Sequence, residues 1–338
     1  MGGNLPRALA TARTAVRTAT MPGEFVLVAC SGGADSLALA AAAAFLNRKG
    51  QLRVGAVIVD HRMQDGSDAV AARAAGQCRD LGLDPVLVLP VDVAGDSEQA
   101  ARAARYAAYG QALETTGATR ILLGHTLDDQ AEQVLLGLGR GSGTLSLAGM
   151  PAVRGPYLRP LLGMGRSAME EICAHESLAY WTDPTNSDPK YLRNQVRHRL
   201  MPVLREVLGA GVPESLARTA TLARQDAEYL DFLAGKELEA VRNASGPGAI
   251  ELDLPALREL PDALRSRVLR LAVRELGAPA PDFERVAALQ GLVFNSKSAG
   301  PVQLAGHVQA VRVAANGART GSRATLNFNR TVPVTGLR

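Results

Sequence analysis

Five apolar residues, Phe25 to Ala29, run directly into a bend with two adjacent glycines, and an alanine-rich segment from Leu37 to Leu46 follows the bend. A short apolar run before such a bend predicts a buried strand, and the longer apolar segment predicts a helix. The alternation continues, with strands predicted over 54–59, 86–91 and 121–124 and helices over 67–81, 97–114 and 128–138. This pattern predicts a parallel sheet covered by helices, in which ligands bind at the carboxyl ends of the strands.

The pattern changes after about residue 150, which predicts a second and smaller domain. A chain of 338 residues exceeds what one hydrophobic core usually organises. Helices are predicted over 166–175, 213–243, 255–276 and 281–294, a glycine- and proline-containing break over 245–248, and a strand or hairpin over 301–313. We therefore predict an α/β domain over 1–210, a linker helix over 211–245, and a small, mainly helical domain with a β element over 246–338.

The composition excludes several classes of protein. The chain is 47% hydrophobic and 21% charged, as in ordinary globular proteins, so disorder is not expected as the main state. No apolar run reaches the roughly 18 residues that cross a bilayer, and no secretory signal is evident, so we expect a soluble, cytoplasmic protein without a membrane partner. Cys30, Cys78 and Cys173 are far apart and form no Cys-x-x-Cys pair, which predicts buried thiols rather than disulfides or a zinc cluster.

The charge distribution permits a nucleic-acid partner. The formal net charge is only +4, but the segment 301–338 contains five arginines and no acidic residue. Such a segment suits contacts with phosphates, and a solvated basic tail is an equal alternative. The sequence leaves the oligomeric state open and is compatible with a homodimer.

The bend after the first strand, Ser31-Gly32-Gly33-Ala34-Asp35-Ser36, has the features of a phosphate-binding loop. Paired glycines let the backbone come close to an anion, and the N-terminus of the next helix presents free N–H groups. The hydroxyls of Ser31 and Ser36 add donors, whereas Asp35 repels phosphate and suits Mg²⁺ or a substrate ammonium group. The spacing matches neither a Walker A loop nor a dinucleotide fingerprint, so we predict another type of phosphate loop, with an ordinary turn as the alternative.

Further polar residues follow the predicted strands or share helix faces. One histidine ends the second predicted strand and another ends the fourth. Two acidic residues lie one helical turn apart. Two pairs of arginines have similar spacing, so both members of a pair can bind the same anion. These candidates are His61, Arg102, Arg105, His125, Asp129, Glu132, Arg193 and Arg197. The structural alternatives are helix-surface arginines, histidines that bond to backbone, and acidic residues that merely begin a helix. The second arginine pair could also contact nucleic-acid phosphates.

The motif Ser-Gly-Gly-x-Asp-Ser after a strand resembles the signature of PP-loop ATP pyrophosphatases, which have a Rossmann-like fold and cleave ATP to AMP and diphosphate. The ordered set of motifs from Phe25 to Pro202 is similar to the tRNA(Ile)-lysidine synthetase family. This resemblance implies ATP and Mg²⁺ as cofactors. It also implies two substrates, free L-lysine and an isoleucine tRNA with a CAU anticodon, whose wobble cytidine is adenylated on its C2 oxygen before the lysine amine displaces AMP.

The resemblance also implies roles for the candidate residues. ATP would lie against the loop from Ser31 to Ser36 and against His61. The lysine and the reacting phosphate would be surrounded by Asp35, Arg105, Asp129, Glu132 and Arg197, with Arg102 and Arg193 as further substrate contacts. Because the lysine amine has an ordinary pKa of about 10.4, a base such as His125 or Asp129 must remove a proton. Asp35 and Asp129 are the candidate ligands of Mg²⁺.

Other functions remain as alternatives. A PP-loop tRNA thiolase would need a cysteine pair or cluster, which the widely separated cysteines do not obviously supply. A glutamine-dependent amide ligase would need a source of ammonia. A non-catalytic nucleotide sensor would have little use for Asp129, Glu132 and two arginine pairs. The longest members of the lysidine family carry two additional C-terminal domains, whereas the residues after Arg197 suffice for one.

Overall fold

The computed structural model describes residues 5–62, 66–91, 98–141, 143–295, 300–315 and 323–331. The chain forms two compact units, Met1–Gly141 with Ser146–Thr221 and Ser142–Leu145 with Leu222–Arg338. Each unit contains its own cluster of buried apolar side chains. Among the helices of the described ranges, none combines the length and the apolar character that a membrane span requires.

The chain alternates helices and strands up to residue 140, and the predicted elements of this α/β pattern are confirmed to within a few residues. In order, the elements are α1 (Arg7–Ala19), β1 (Phe25–Ala29), α2 (Ala34–Arg48), β2 (Arg53–Asp60), α3 (Ser67–Asp80), β3 (Val86–Pro90), α4 (Glu98–Thr116), β4 (Arg120–Leu123), α5 (Leu127–Arg140), α6 (Thr144–Leu147), β5 (Val153–Arg154), β6 (Tyr157–Leu158), α7 (Arg166–His175), α8 (Leu192–Gln195), α9 (Met201–Leu208) and α10 (Val212–Val241).

The first unit is built on a six-stranded sheet with the strand order β3-β2-β1-β4-β6-β5. All neighbouring strands are parallel except β5 and β6. Ala29 at the end of β1 lies beside Leu123, the last residue of β4, and beside Val57 of β2, which continues three residues farther to Asp60. In a parallel sheet this carboxyl edge is where a ligand is expected, and the loop after β1 stands at its centre.

Both faces of this sheet are covered, because side chains alternate along each strand. Val26 and Val28 join a core with α1, α2, α3 and α7, whereas Leu27 and Ala29 join a second core with α4. The alanines of α2 are almost completely buried, which lets α1 and α7 pack closely on that helix. No element was predicted before residue 25. Helix α1 nevertheless forms there because Leu9, Ala12 and Val16 have helical spacing and are fully buried.

Two glycines of the first unit permit close backbone contacts. A Cβ atom on Gly124, directly after β4, would lie 3.0 Å from the backbone carbonyl carbon and oxygen of Asp35. A Cβ atom on Gly137, within α5, would lie 2.0 Å from the carbonyl oxygen of Ser146. The first contact keeps the end of β4 against the first turn of α2. The second keeps α5 against the segment that follows it.

The contact at Gly137 predicts a sign reversal between two substitutions on one helix. Alanine usually stabilises a helix by about 0.5 to 1 kcal/mol relative to glycine, and Gly139→Ala should do so because nothing lies within 4 Å of its Cβ position. Gly137→Ala should instead lower the free energy of unfolding by about 1 to 3 kcal/mol, because the methyl group overlaps Ser146. Urea denaturation of both variants measures the difference. Equal stabilisation by both substitutions would contradict the close contact.

The second unit contains an antiparallel sheet against three helices. Its elements after α10 are β7 (Arg242–Asn243), β8 (Ala249–Asp253), α11 (Leu254–Glu259), α12 (Asp262–Glu275), α13 (Phe283–Phe294), β9 (Val302–Leu304), β10 (Val308–Val313) and β11 (Thr325–Arg330). The strand order is β7-β8-β11-β10-β9. Leu252, Phe328, Leu269 and Leu289 meet in its core and are fully buried.

The prediction of one helix over 255–276 was wrong. The helix is interrupted at Leu260, whose ψ of 139° is extended, before Pro261. Proline disfavours the helical conformation in the preceding residue and cannot donate a backbone hydrogen bond, so α12 starts anew. Of the two possibilities predicted over 301–313, a strand or a hairpin, the hairpin is present as β9 and β10. Strands β8 and β11 were not predicted, although the residues of β11 alternate between buried and less buried positions.

The three cysteines are free and buried, as predicted. They are nevertheless neighbours in the fold, since all three belong to one buried cluster together with Ala34 at the start of α2. The Cys30 Sγ atom lies 3.7 Å from the Ser36 hydroxyl oxygen, and the Cys173 thiol donates to the carbonyl oxygen of Ala34 at 3.4 Å. All three thus lie beneath the loop after β1. Their separation in the sequence did not indicate this arrangement.

Candidate active site

The loop between β1 and α2 is braced from within by its serines. Gly32 has a φ of +81°, which favours glycine, and a Cβ atom there would lie 3.3 Å from Ala74. The Ser36 hydroxyl donates to the carbonyl oxygen of Gly33 at 2.9 Å and accepts from the Ser31 N–H at 3.1 Å. Ser36 is buried, so its hydroxyl shapes the loop. The N–H groups of the first turn of α2, which have no helical partner, then face the carboxyl edge of the sheet.

Asp35 lies in this first turn with a carboxylate oxygen that is unsatisfied. Its Oδ1 atom is buried and has no hydrogen-bond partner. Burial, reinforced by the negative charge of Asp129, raises the pKa of Asp35 to about 6, although Arg166 and Arg197 oppose the shift. A buried carboxylate oxygen without a partner is costly, and such atoms often mark a position where a cation or ligand binds.

A cleft of about 670 Å³ opens over the loop. Its apolar wall comes from the end of β2 and the start of α3, where Ile58, Val70 and Ala71 line it. Its polar lining includes His125 after β4 and Arg193 from α8. The volume is within the usual range for small-molecule sites, which is about 300 to 1,000 Å³. The cleft over the loop therefore offers both apolar and polar lining to a ligand.

His61 and Arg105 meet at the rim of this cleft, where Arg105 Nε donates to His61 Nε2 at 3.2 Å. Burial, together with the charge of Arg105, lowers the pKa of His61. Arg102 contacts the Tyr106 hydroxyl and ring instead, and it does not line the cleft. The structure therefore brings Arg105 to the site and leaves Arg102 outside it.

Four charged residues that were predicted from two separate motifs form one network beside the cleft. Arg193 donates from Nη2 to Asp129 and from Nε to Glu132, both at 2.8 Å. Arg197 donates from Nη2 to Asp129 at 3.1 Å and from Nε to Glu132 at 2.5 Å. Glu132 is only 2% exposed. Two carboxylates and two guanidinium groups thus neutralise one another, as buried charges must.

Asp129 is fully engaged in this network. Its Oδ2 atom accepts from the N–H and the hydroxyl of Thr126, at 2.8 and 3.1 Å, and its Oδ1 atom accepts from both arginines. Burial opposes its ionisation, but Arg193, the Thr126 N–H, His125 and Arg197 together hold the pKa of Asp129 below the ordinary value. Asp129 therefore remains charged and has little capacity to accept a proton near neutral pH.

His125 stands between β4 and α5 and is neutral near pH 7. Burial lowers its pKa to about 4, and Arg159, Arg193 and Arg102 act in the same direction against the opposing charge of Asp129. Its Nδ1 atom is buried and has no hydrogen-bond partner. A neutral imidazole with an unsatisfied nitrogen can donate or accept a hydrogen bond at a reacting group.

The two network arginines do not share one regular helix. Arg193 lies in α8, and Arg197 lies in a π-helical turn, Val196–Leu200, that connects α8 to α9. Such turns are rare and occur frequently at functional sites. Sequence reasoning also missed Asp128, which accepts from the Arg166 N–H and from Arg205 at 2.8 and 2.7 Å. Its position next to Asp129 was the one available signal.

Comparisons with known proteins agree with this geometry. The PP-loop domain family matches residues 9–204, and the TilS substrate binding domain family matches residues 252–317. The tRNA(Ile)-lysidine synthase of Leifsonia xyli subsp. xyli is 48% identical over 86% of this chain and 88% of its own. The tRNA(Ile)-lysidine synthase of Thermobifida fusca is 47% identical over 89% of this chain and 94% of its own.

A solved structure shares the fold at low sequence identity. The U34-tRNA thiolase NcsA from Methanococcus maripaludis, which holds a [4Fe-4S] cluster, has a TM-score of 0.52 and 17% identity over 64% of this chain and 78% of its own. This likeness concerns the fold alone. The family match over the phosphate loop and the high identity over most of the length point in one direction: the chain belongs to the tRNA(Ile)-lysidine synthase family.

Proposed function

We propose that this protein joins free L-lysine to C2 of the wobble cytidine of a CAU-anticodon isoleucine tRNA, consuming ATP and releasing AMP and diphosphate. The observation that carries the proposal is the network of Asp129, Glu132, Arg193 and Arg197 beside a phosphate loop. A protein that only binds a nucleotide needs no such set of buried charges. Relatives that cover most of the chain are named for this activity.

In the first step, the C2 oxygen of the cytosine attacks the α-phosphorus of ATP. An oxygen–phosphorus bond forms, and the bond to diphosphate breaks. We assign the N–H groups of the Gly33–Ser36 turn to the phosphates, because a helix N-terminus stabilises negative charge. The apolar wall of Ile58, Val70 and Ala71 suits the adenine ring.

Mg²⁺ would neutralise the diphosphate that leaves in this first step. Asp35 fits it, because its Oδ1 atom is buried without a partner beside the phosphate loop. Asp129 fits less well, because both of its oxygens already accept hydrogen bonds. In the described ranges, no group of three or more His, Cys, Asp or Glu side chains forms a metal site. This agrees with an ion that arrives with the nucleotide, since Mg²⁺ is commonly held by one or two carboxylates and phosphates.

In the second step, the side-chain amine of lysine attacks C2. A carbon–nitrogen bond forms, the C2–oxygen bond breaks, and AMP leaves with that oxygen. The attacking nitrogen becomes strongly acidic once the new bond exists, so even a weak base can accept its proton. We propose His125 for this role, because it is neutral and its Nδ1 atom has no partner. Arg105 and the network arginines are the proposed contacts for the lysine carboxylate and the AMP phosphate.

The sulfur-transfer alternative is not favoured. Cys78 and Cys173 are fully buried, and Cys30 is 2% exposed. Burial raises the pKa of Cys173 to about 12, which keeps its thiol protonated and unreactive. A sulfur carrier needs an accessible thiolate or an accessible cluster, and the relatives over most of the chain carry the lysidine name.

The remaining assignments are proposals of the same kind. We place the catalytic domain over 1–210 and the linker helix over 211–245. We assign tRNA contact to the domain over 246–338, which includes the whole region matched by the TilS substrate binding domain, residues 252–317. Part of the basic segment 301–338 lies outside the described residues, and Arg319 and Arg338 belong to that part. A cytoplasmic location and a homodimer stay predictions.

The decisive experiment incubates the protein with ATP, isotope-labelled lysine and unmodified CAU-anticodon isoleucine tRNA, followed by mass analysis of the wobble nucleoside. We expect the mass of lysine minus water to appear on that nucleoside, together with stoichiometric AMP and diphosphate. Elongator methionine tRNA, which shares the anticodon, is the matched control. ATP cleavage without transfer of label would refute lysine ligation, and absence of both would refute the enzymatic proposal.

A further inference from the structure

The segment 179–194, here called the strap, crosses in front of the phosphate loop. At its start, Ala179 exchanges two hydrogen bonds with the Gln77 side chain in α3, at 2.9 and 3.2 Å. Two residues farther along, the Trp181 N–H donates to the carbonyl oxygen of Gly32 at 2.9 Å. At its end, Arg193 joins the ion-pair network. The strap is therefore fixed to α3, to the loop and to α5.

Internal hydrogen bonds give the strap a defined shape. Asp183 Oδ1 accepts from the N–H and the hydroxyl of Thr185, at 2.8 and 2.7 Å, which caps a short 3₁₀ turn. Asn194 Nδ2 donates to the carbonyl oxygens of Thr185 and Asp188, at 2.7 and 2.9 Å. A backbone held in this way presents its side chains in one arrangement, which lowers the entropy lost when a ligand binds.

Two aromatic residues of the strap, Trp181 and Tyr191, line the cleft, and both are half-buried. The chain has one tryptophan and six tyrosines. Tyr109 also lines the cleft, but it is 7% exposed and packs against two other tyrosines, edge-on against Tyr106 and tilted against Tyr157, with ring centroids 5.7 and 6.2 Å apart. Trp181 and Tyr191 are therefore the aromatic rings with surface left for a ligand in this part of the cleft.

We propose that Trp181 and Tyr191 hold the target cytosine, drawn out of the anticodon loop, by contact with their ring faces; this inference rests on the proposed function. A base cannot present its C2 oxygen to a nucleotide phosphate while it is stacked in RNA, and enzymes that modify bases hold the extruded base between aromatic or apolar side chains. The strap places both rings beside the loop that holds the phosphates. The apolar wall at β2 and α3 remains for adenine.

Fluorescence of Trp181 tests the contact directly, because it is the single tryptophan. The wild-type protein is titrated with an RNA stem-loop that carries the CAU anticodon, with the same stem-loop lacking the wobble base, and with ATP alone. We expect the intact stem-loop to quench the emission and the abasic one to leave it unchanged. Equal quenching by both RNAs, or full quenching by ATP alone, would overturn the proposal, and the latter would assign Trp181 to adenine.

Substitutions separate stacking from folding. Trp181→Ala and Tyr191→Ala should each raise KM for tRNA by about 5- to 150-fold with KM for ATP unchanged, whereas Trp181→Phe and Tyr191→Phe should retain most of the affinity. Tyr180→Ala, at an exposed aromatic residue that does not line the cleft, is the control. If the alanine variants match wild type, or if ATP affinity falls equally, the inference fails. Lysidine formation by wild type in the same assay shows whether the proposed function stands independently.

Discussion

Replacing Glu132 with alanine is expected to lower the free energy of unfolding by about 3 to 5 kcal/mol and to remove turnover. Glu132 is 2% exposed and accepts hydrogen bonds from both Arg193 and Arg197. Without it, Asp129 alone faces two guanidinium groups, and one positive charge is left in a largely buried position. The loss of stability is measured by urea denaturation, and turnover by AMP release in the presence of tRNA and lysine.

Glu228→Ala is the matched control for this prediction. Glu228 also pairs with an arginine, but at 3.7 Å and with its side chain 66% exposed. Exposed ion pairs of this kind contribute about 0 to 1 kcal/mol, so stability and turnover should stay near the wild-type values. If Glu132→Ala proved no more destabilising than Glu228→Ala, the network would not be the buried, mutually dependent unit described above.

Asp35→Asn is expected to act in opposite directions on activity and stability. Turnover should fall about 100-fold or more, because the substitution removes the charge that, under the proposed function, would hold Mg²⁺ beside the nucleotide phosphates. In metal-free buffer without nucleotide, the free energy of unfolding at pH 7 to 8 should rise by about 1 to 3 kcal/mol. The cause is the buried Oδ1 atom, which has no partner and whose burial raises the pKa of Asp35 to about 6.

The direction of the expected change in stability follows from how the folded-state pKa of Asp35 makes stability depend on pH. A carboxyl group whose pKa is higher in the folded state than the ordinary 3.8 contributes stability that is fully present below pH 3.8 and is lost as the pH rises through about 6. Wild type and Asp35→Asn should therefore have nearly equal stability at pH 4, should diverge as the pH rises from about 4 to about 6, and should keep a constant difference above that. A variant that is less stable than wild type at pH 8 would show that Asp35 is satisfied as a carboxylate in the folded protein.

The sequence by itself determined the features that depend on local geometry. Phe25–Ala29 has to form a buried strand, and the glycines after it have to bend toward a helix N-terminus, because these preferences act between residues near in the chain. Asp129 and Glu132 share a helix face for the same reason. The family resemblance, which rests on such motifs in order, was confirmed by the relatives over most of the chain.

The spacing of residues along a helix did not predict which side chains point into the cleft. Arg102 and Arg105 lie one turn apart, yet only Arg105 reaches the cleft, because residues three apart differ in direction by about 60° around a helix. The guanidinium group of Arg102 lies over the ring of Tyr106, four residues later in the helix, and this contact keeps Arg102 outside the cleft. In the second unit, β8 pairs with β11 across a sequence gap that no local pattern could span.

Only the tertiary structure decided which charges meet. Arg193 and Arg197 contact carboxylates that are 61 to 68 residues distant in sequence, and Arg105 contacts a histidine 44 residues away. Such contacts depend on the path of the whole chain between the two partners. That path includes a π-helical turn, which no residue type in the sequence predicts. The sequence therefore supplied the chemical groups and their local order, whereas the packing of distant segments decided which groups are paired, which are buried without a partner, and which face the cleft.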